Sequence, residues 1–213
     1  MNTENIVAFI KHGTTVRTPR ENMQAGGLLI AALACIMAAL VGKSNILFII
    51  CDVIVYIVSA FYLLYIFRMP KSLPLKAYIQ VQMCNSLYAV IVFSVMSLEF
   101  FWAYNILFSV IMALCPCLLG AVSCLVSYTR CKREVYIKKT VKPSHVIATI
   151  AISLGAAVGV AGIRFIPWEQ YGYDIAFAVI SVILAACFSV MGMPMILKMY
   201  YIKKLEQRGE TLG

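Results

Sequence analysis

Acidic side chains are scarce in this 213-residue chain, which has nine Asp and Glu against eighteen Lys and Arg. Charged residues of both signs make up 13%. A soluble domain carries about a quarter, so the chain lacks the polar surface a water-soluble fold needs. Histidine is nearly missing as well. His12 and His145 are the only two, and no HExxH motif occurs, which leaves no intramembrane histidine cluster for zinc and excludes the zincin type of hydrolysis. There is no long polar or low-complexity stretch to form a linker, and none to form a separate soluble domain. What fills the chain is apolar: 62% of residues are hydrophobic and the mean hydropathy is +0.90.

A helix needs roughly 20 apolar residues to cross a hydrocarbon core. Suitable runs are predicted at 24–41, 44–67, 77–96, 103–128, 146–163 and 173–197. Lys43 breaks the first pair, Glu99 with Trp102 the second, and the segment 164–174 the third. The expected fold is an all-α integral membrane bundle of six transmembrane helices built from three helical hairpins. Residues 1–23 form a basic segment before it, residues 24–197 the transmembrane domain, and residues 198–213 a basic tail. The first 23 residues hold no uninterrupted apolar core, so no cleaved signal peptide is expected.

Orientation follows from Lys and Arg, which resist translocation. Sixteen of the eighteen fall on one side: the N-terminal segment, the even-numbered connections and the C-terminal tail. Only Lys43 and Arg164 fall on the other. Both termini are therefore expected in the cytoplasm, with a multi-pass protein in the cell membrane. Subtracting the acids leaves +11 on the inner face and −1 outside. The pI of 9.2 is then a topology signal, matched to anionic inner-leaflet lipids and not to nucleic acid.

Asp52 stands out as an ionisable side chain well inside a span, where a charge must be paired, protonated or hydrated. Asn45, Asp52, Tyr56 and Ser59 fall on one helical face by their spacing. The third span repeats the pattern with Tyr78, Gln82 and Asn85, and the fourth places Asn105, Ser109, Ala113, Cys117, Gly120, Cys124 and Ser127 along one small, semi-polar face. Asp52, Tyr56, Ser59, Gln82, Asn85 and Asn105 are the candidates for a solute or proton path. The bland alternative is that they hydrogen-bond one another and hold the helices together.

Ala151, Gly155, Gly159 and Gly162 predict a tight packing seam on the fifth span, and Gly27, Ala31, Ala34 and Ala38 a looser one on the first. Either could instead serve a homo-oligomer or a partner membrane subunit.

Cys115-Pro116-Cys117 lies near the middle of the fourth span, where proline frees a carbonyl beside two soft ligands. The triplet resembles the intramembrane CPC of copper-transporting P-type ATPases. That resemblance implies Cu(I) ligation by Cys115 and Cys117, with Met191, Met193 and Met195 as further soft donors. It covers three residues, and the ATP-binding domains of that family are absent, so no metal and no cofactor is favoured. Cys131 and His145 share a basic loop in a way similar to the membrane cysteine proteases that process signalling peptides, but that family's Gly-Gly-x-His context is missing: Leu28 and Leu29 follow Gly26-Gly27. No catalytic motif remains, and the chain is not expected to be an enzyme. The expected function is a small-solute or ion transporter, or a membrane subunit of a transport system. The alternative is a non-catalytic membrane partner, sensor or immunity-type protein.

Overall fold

The computed structural model describes residues 3–12, 20–40, 46–70, 73–102, 105–137 and 168–210. Among these every regular element is an α-helix: α1 (Thr3–Lys11), α2 (Arg20–Leu40), α3 (Ile46–Phe67), α4 (Leu75–Trp102), α5 (Ile106–Lys132) and α6 (Trp168–Glu206). Helices α2 to α6 are each long and apolar enough to cross a membrane. The protein is thus a multi-pass helical bundle. The crossing expected at 146–163 lies outside the described residues, together with its small-residue seam.

Local chemistry sets several helix ends. Asn105 takes an extended conformation at the N-cap of α5, and its side chain accepts from Phe108 N–H at 3.0 Å, satisfying one of the first-turn donors. Arg130 and Lys132 in the last turn face the negative end of the same helix dipole. Glu4 and Lys11 bracket α1 in the same favourable sense. Helix α4 starts directly after Pro74, whose carbonyl accepts from Tyr78 N–H at 2.9 Å.

Helix α4 is the centre of the bundle. It packs chiefly along α6 and α5, and more lightly on α2 and α3. Phe93 stacks on Phe188, and Phe100 on Phe177 with centroids 5.6 Å apart, so α4 and α6 run antiparallel. Close approach is possible because α6 presents Ala178, Ser181, Ala185, Ser189 and Gly192 to the interior, all buried and three or four residues apart. A Cβ built on Gly192 would overlap Ser86 of α4, and one on Gly120 of α5 would overlap Ser189 and Met193 of α6. Ser123 also donates to the carbonyl of Val190 at 2.9 Å, so α5 runs parallel to α6. The small-residue face of α2 is in use too. Gly27, Ala31, Ala34 and Ala38 are buried, with Gly27 against Tyr62 and Ile66 of α3.

The basic residues gather at one end of the bundle. Arg20 and Gln24 at the start of α2 donate to the last carbonyls of α3, at Phe67 (3.4 Å) and Ile66 (3.2 Å). Lys76 at the start of α4 bridges Glu206 at the end of α6 at 2.8 Å. Helix α6 runs through the boundary expected at residue 198 without a break. Its 39 residues would extend about 58 Å, well beyond a hydrocarbon core of about 30 Å.

The N-terminal segment expected to be basic and cytoplasmic contains α1, folded onto this end of α5 and α6. Its apolar face, Ile6, Phe9 and Ile10, is buried, and Asn5 donates to the carbonyl of Cys131. Lys198, only 4% exposed, donates to the carbonyl of His12 at 2.5 Å and lies 5.5 Å from the Phe9 ring centre. The lysine thereby satisfies an orphan carbonyl at the negative end of α1 and covers an aromatic face.

Candidate functional site

The buried face of α3 is Asp52, Val55, Ser59, Tyr62 and Ile66, at steps of three and four residues. Helix α4 faces it in antiparallel register. Ser59 and Tyr88 share a hydroxyl hydrogen bond, Tyr62 donates to Asn85 Oδ1 at 3.0 Å, and the Tyr62 and Tyr88 rings stack with centroids 4.0 Å apart. Towards the other end, Phe48 meets Trp102 edge-on at 5.7 Å.

The same register brings Glu99 of α4 opposite Asp52. Hydropathy assigns Glu99 to the connection between the third and fourth spans, but α4 continues through it to Trp102 and leaves it 3% exposed. Asp52 is 4% exposed. The two carboxyls lie within electrostatic range of each other. Neither oxygen of Glu99 has a hydrogen-bond partner among the described residues. Two acids buried side by side cannot both carry full charge at low cost, because each penalises the other. The arrangement therefore suits a group that removes negative charge from between them.

The remaining residues of the expected path divide between this interface and its surroundings. Ser59 and Asn85 sit in it, bonded across α3 and α4. Gln82 is half-buried towards the basic end, where its amide donates to Tyr78 Oη at 3.4 Å. Tyr56 is off the buried face at 40% exposure, its hydroxyl reaching the carbonyl of Cys35 on α2 at 3.3 Å. Asn105 is exposed, and its side-chain oxygen caps α5. Asn45 lies outside the described residues.

On α5 the buried positions are Ser109, Met112, Pro116, Gly120, Ser123 and Cys131, a face that leaves Cys117 exposed and Cys115 partly so. Met191 is also exposed, whereas Met193 and Met195 are part-buried. Among the described residues no group of three or more His, Cys, Asp or Glu is placed to hold a metal ion. Cys131 is buried and its carbonyl serves Asn5. Its expected companion His145 lies outside the described residues.

Lys198 and its neighbours form the second concentration of buried polarity. His12 packs against Tyr136 with ring centres 5.1 Å apart. Partial burial, and then the cations Lys198 and Arg130, push its imidazole below the ordinary histidine value.

Comparison with protein families, characterised proteins and solved structures finds no match to the chain.

Proposed function

We propose that this protein is a small-solute or ion transporter, or the membrane subunit of a transport system, and that Asp52 with Glu99 forms its ion-contacting site. The observation that carries the reading is the burial of both carboxyls at the α3–α4 interface, where they face protein and not lipid. An acid costs at least about 2.5 kcal/mol at the centre of a span, and two together cost more. A purely structural role is served better by the neutral pairs already present, such as Ser59 with Tyr88. No catalytic constellation supports an enzyme, and the reading assigns no cofactor. The basic end of the bundle faces the cytoplasm and anionic inner-leaflet lipids of the cell membrane, with both termini inside. The small-residue face of α2 is occupied within the chain, so a homo-oligomer or partner subunit uses another surface.

The test is flux through purified protein in liposomes, read with a pH indicator and with labelled sodium and rubidium under imposed gradients. Wild type should carry one of these ions. Asp52→Asn, which keeps size and hydrogen-bonding capacity, should abolish the flux while leaving thermal stability nearly unchanged. Asp52→Leu should lower stability as well, since it strips the site of its polar partner. Absence of flux under every gradient would overturn the reading. So would an Asp52→Asn variant as unstable as Asp52→Leu with flux intact, which would make Asp52 structural and favour a membrane partner or sensor.

A further inference from the structure

We infer that Arg130 and His12, backed by Lys198, hold the phosphate group of an anionic phospholipid at the basic end of the bundle. This stands apart from the transport reading and needs only that the basic end meet a membrane surface. Three cationic side chains converge there from three elements. Lys198 of α6 donates to the carbonyl of His12, just past α1, at 2.5 Å. The charges of Lys198 and of Arg130 on α5 both act on the His12 imidazole. Ser123 bonds Val190 where α5 and α6 run side by side. Arg130 lies seven residues beyond the one and Lys198 eight beyond the other, about two turns each, so they reach the same height.

That height is the level of a lipid headgroup. Gly192 of α6 lies against Ser86 of α4, and Tyr62 of α3 bonds Asn85 of α4. The antiparallel register of these two contacts sets Lys198 level with the last turn of α3. Helix α3 has 22 residues, about 33 Å, which matches a hydrocarbon core of about 30 Å, so its ends mark where headgroups begin. Tyrosine gives an independent marker. Tyr65, Tyr128 and Tyr200, on α3, α5 and α6, are all exposed and lie within about one turn of this height, the position tyrosine takes at a membrane–water interface. Val122 and Leu125, exposed and deeper on α5, offer apolar surface to acyl chains.

The local chemistry suits a phosphate. The carbonyl end of a helix repels anions, but here the Lys198 ammonium is bonded to the carbonyl that ends α1. Lys198 is buried, so its charge is fixed in place and little screened by salt. Arg130 and His12 are only part-buried and accessible to a headgroup. A guanidinium offers paired donors that match phosphate oxygens, and imidazole adds an N–H. Cations gathered this closely repel one another, and a bound phosphate turns that repulsion into attraction. The acid nearest in sequence, Glu134, is exposed and stands among Arg130, Lys132 and Arg133. Residues 13–19 and 138–167, which continue the chain from His12 and from the end of α5, contain Lys and Arg but neither Asp nor Glu.

Native mass spectrometry of the full chain, released from detergent with equimolar phosphatidylglycerol and phosphatidylcholine, tests the site. Wild type should retain phosphatidylglycerol with about tenfold preference. Arg130→Gln should remove most of that preference and His12→Gln part of it. Lys203→Gln/Lys204→Gln, which takes two cations from the same end of α6, should leave it nearly unchanged. Arg130→Lys keeps the charge and gives up the paired donors, so it should fall between wild type and Arg130→Gln, and it carries the comparison if Arg130→Gln does not fold. Equal retention of the two lipids by wild type would overturn the proposal. So would a loss in the double lysine variant as large as in either Arg130 variant, because binding would then follow surface charge alone. Millimolar inorganic phosphate should leave the bound lipid in place; its displacement would make this a site for soluble phosphate and overturn the lipid assignment.

Discussion

Gly192→Ala should be one of the most damaging single-methyl additions in this protein. The added Cβ would overlap Ser86 Cβ on α4 and lie 3.4 Å from Ser86 Cα. These are backbone-proximal atoms, so no rotamer change relieves the overlap and the two helices must separate. Overpacking of this kind costs about 1–3 kcal/mol, while replacing a mid-helix glycine by alanine gains back about 1 kcal/mol of propensity. The net expectation is a loss of up to about 2 kcal/mol. Gly26→Ala is the control, since nothing lies within 4 Å of its added Cβ; it should be neutral or gain up to about 1 kcal/mol. Ser86→Gly introduced with Gly192→Ala removes the colliding atom, so the two changes should be less than additive, with a coupling of about 1 kcal/mol. Unfolding in detergent micelles titrated with dodecyl sulfate reads these three variants and Ser86→Gly alone. Equal stability of Gly192→Ala and Gly26→Ala, or no relief from Ser86→Gly, would refute the α4–α6 packing.

Acidification should loosen α1. His12 favours its neutral form when docked beside Lys198 and Arg130, so the undocked state takes up the proton more readily; docking is complete above an ordinary histidine value of about 6.5 and weakens below it. Proteolysis of the first 12 residues should therefore speed up as pH falls, and a pH-independent rate would contradict this. Lys198→Met should speed the same cleavage at neutral pH, because the carbonyl of His12 loses a charged donor worth about 1.5–3 kcal/mol. All eight cysteines, free in the structure, should react with an alkylating agent after denaturation without prior reduction; a mass deficit of two protons would show a disulfide. Reporters fused after residue 76 and at the C-terminus should give a cytoplasmic signal, and one near residue 43 an external signal, as the charge bias requires.

Helix positions were largely legible because long apolar runs have a single stable form in a bilayer. The run at 44–67 became Ile46–Phe67, and that at 24–41 became Arg20–Leu40. Asp52 was legible for the same reason, as a polar exception in an apolar stretch. Glu99 was not. Hydropathy treats a lone acid near a span end as a connection, and only the register set by Ser59–Tyr88 and Phe48–Trp102 places it opposite Asp52. Lys198 was misplaced by a similar rule, since a lysine after an apolar run reads as solvated until α1 is seen to cover it. Helix α1 itself spans nine residues, too short for periodicity to separate it from a polar leader. Tyr56 shows the limit of spacing arguments. It lies four residues from Asp52, yet the face that packs on α4 turns through Val55 and leaves Tyr56 at its edge.

Uptake of protons, sodium or rubidium into liposomes driven by an imposed membrane potential, negative inside, tests the central claim most directly. Wild type should take up one of these ions when the potential is imposed, and Asp52→Asn and Glu99→Gln should each reduce the initial rate at least tenfold while inserting and unfolding like wild type. Uptake at the wild-type rate in both variants would contradict the assignment of Asp52 and Glu99 as the site through which the ion passes.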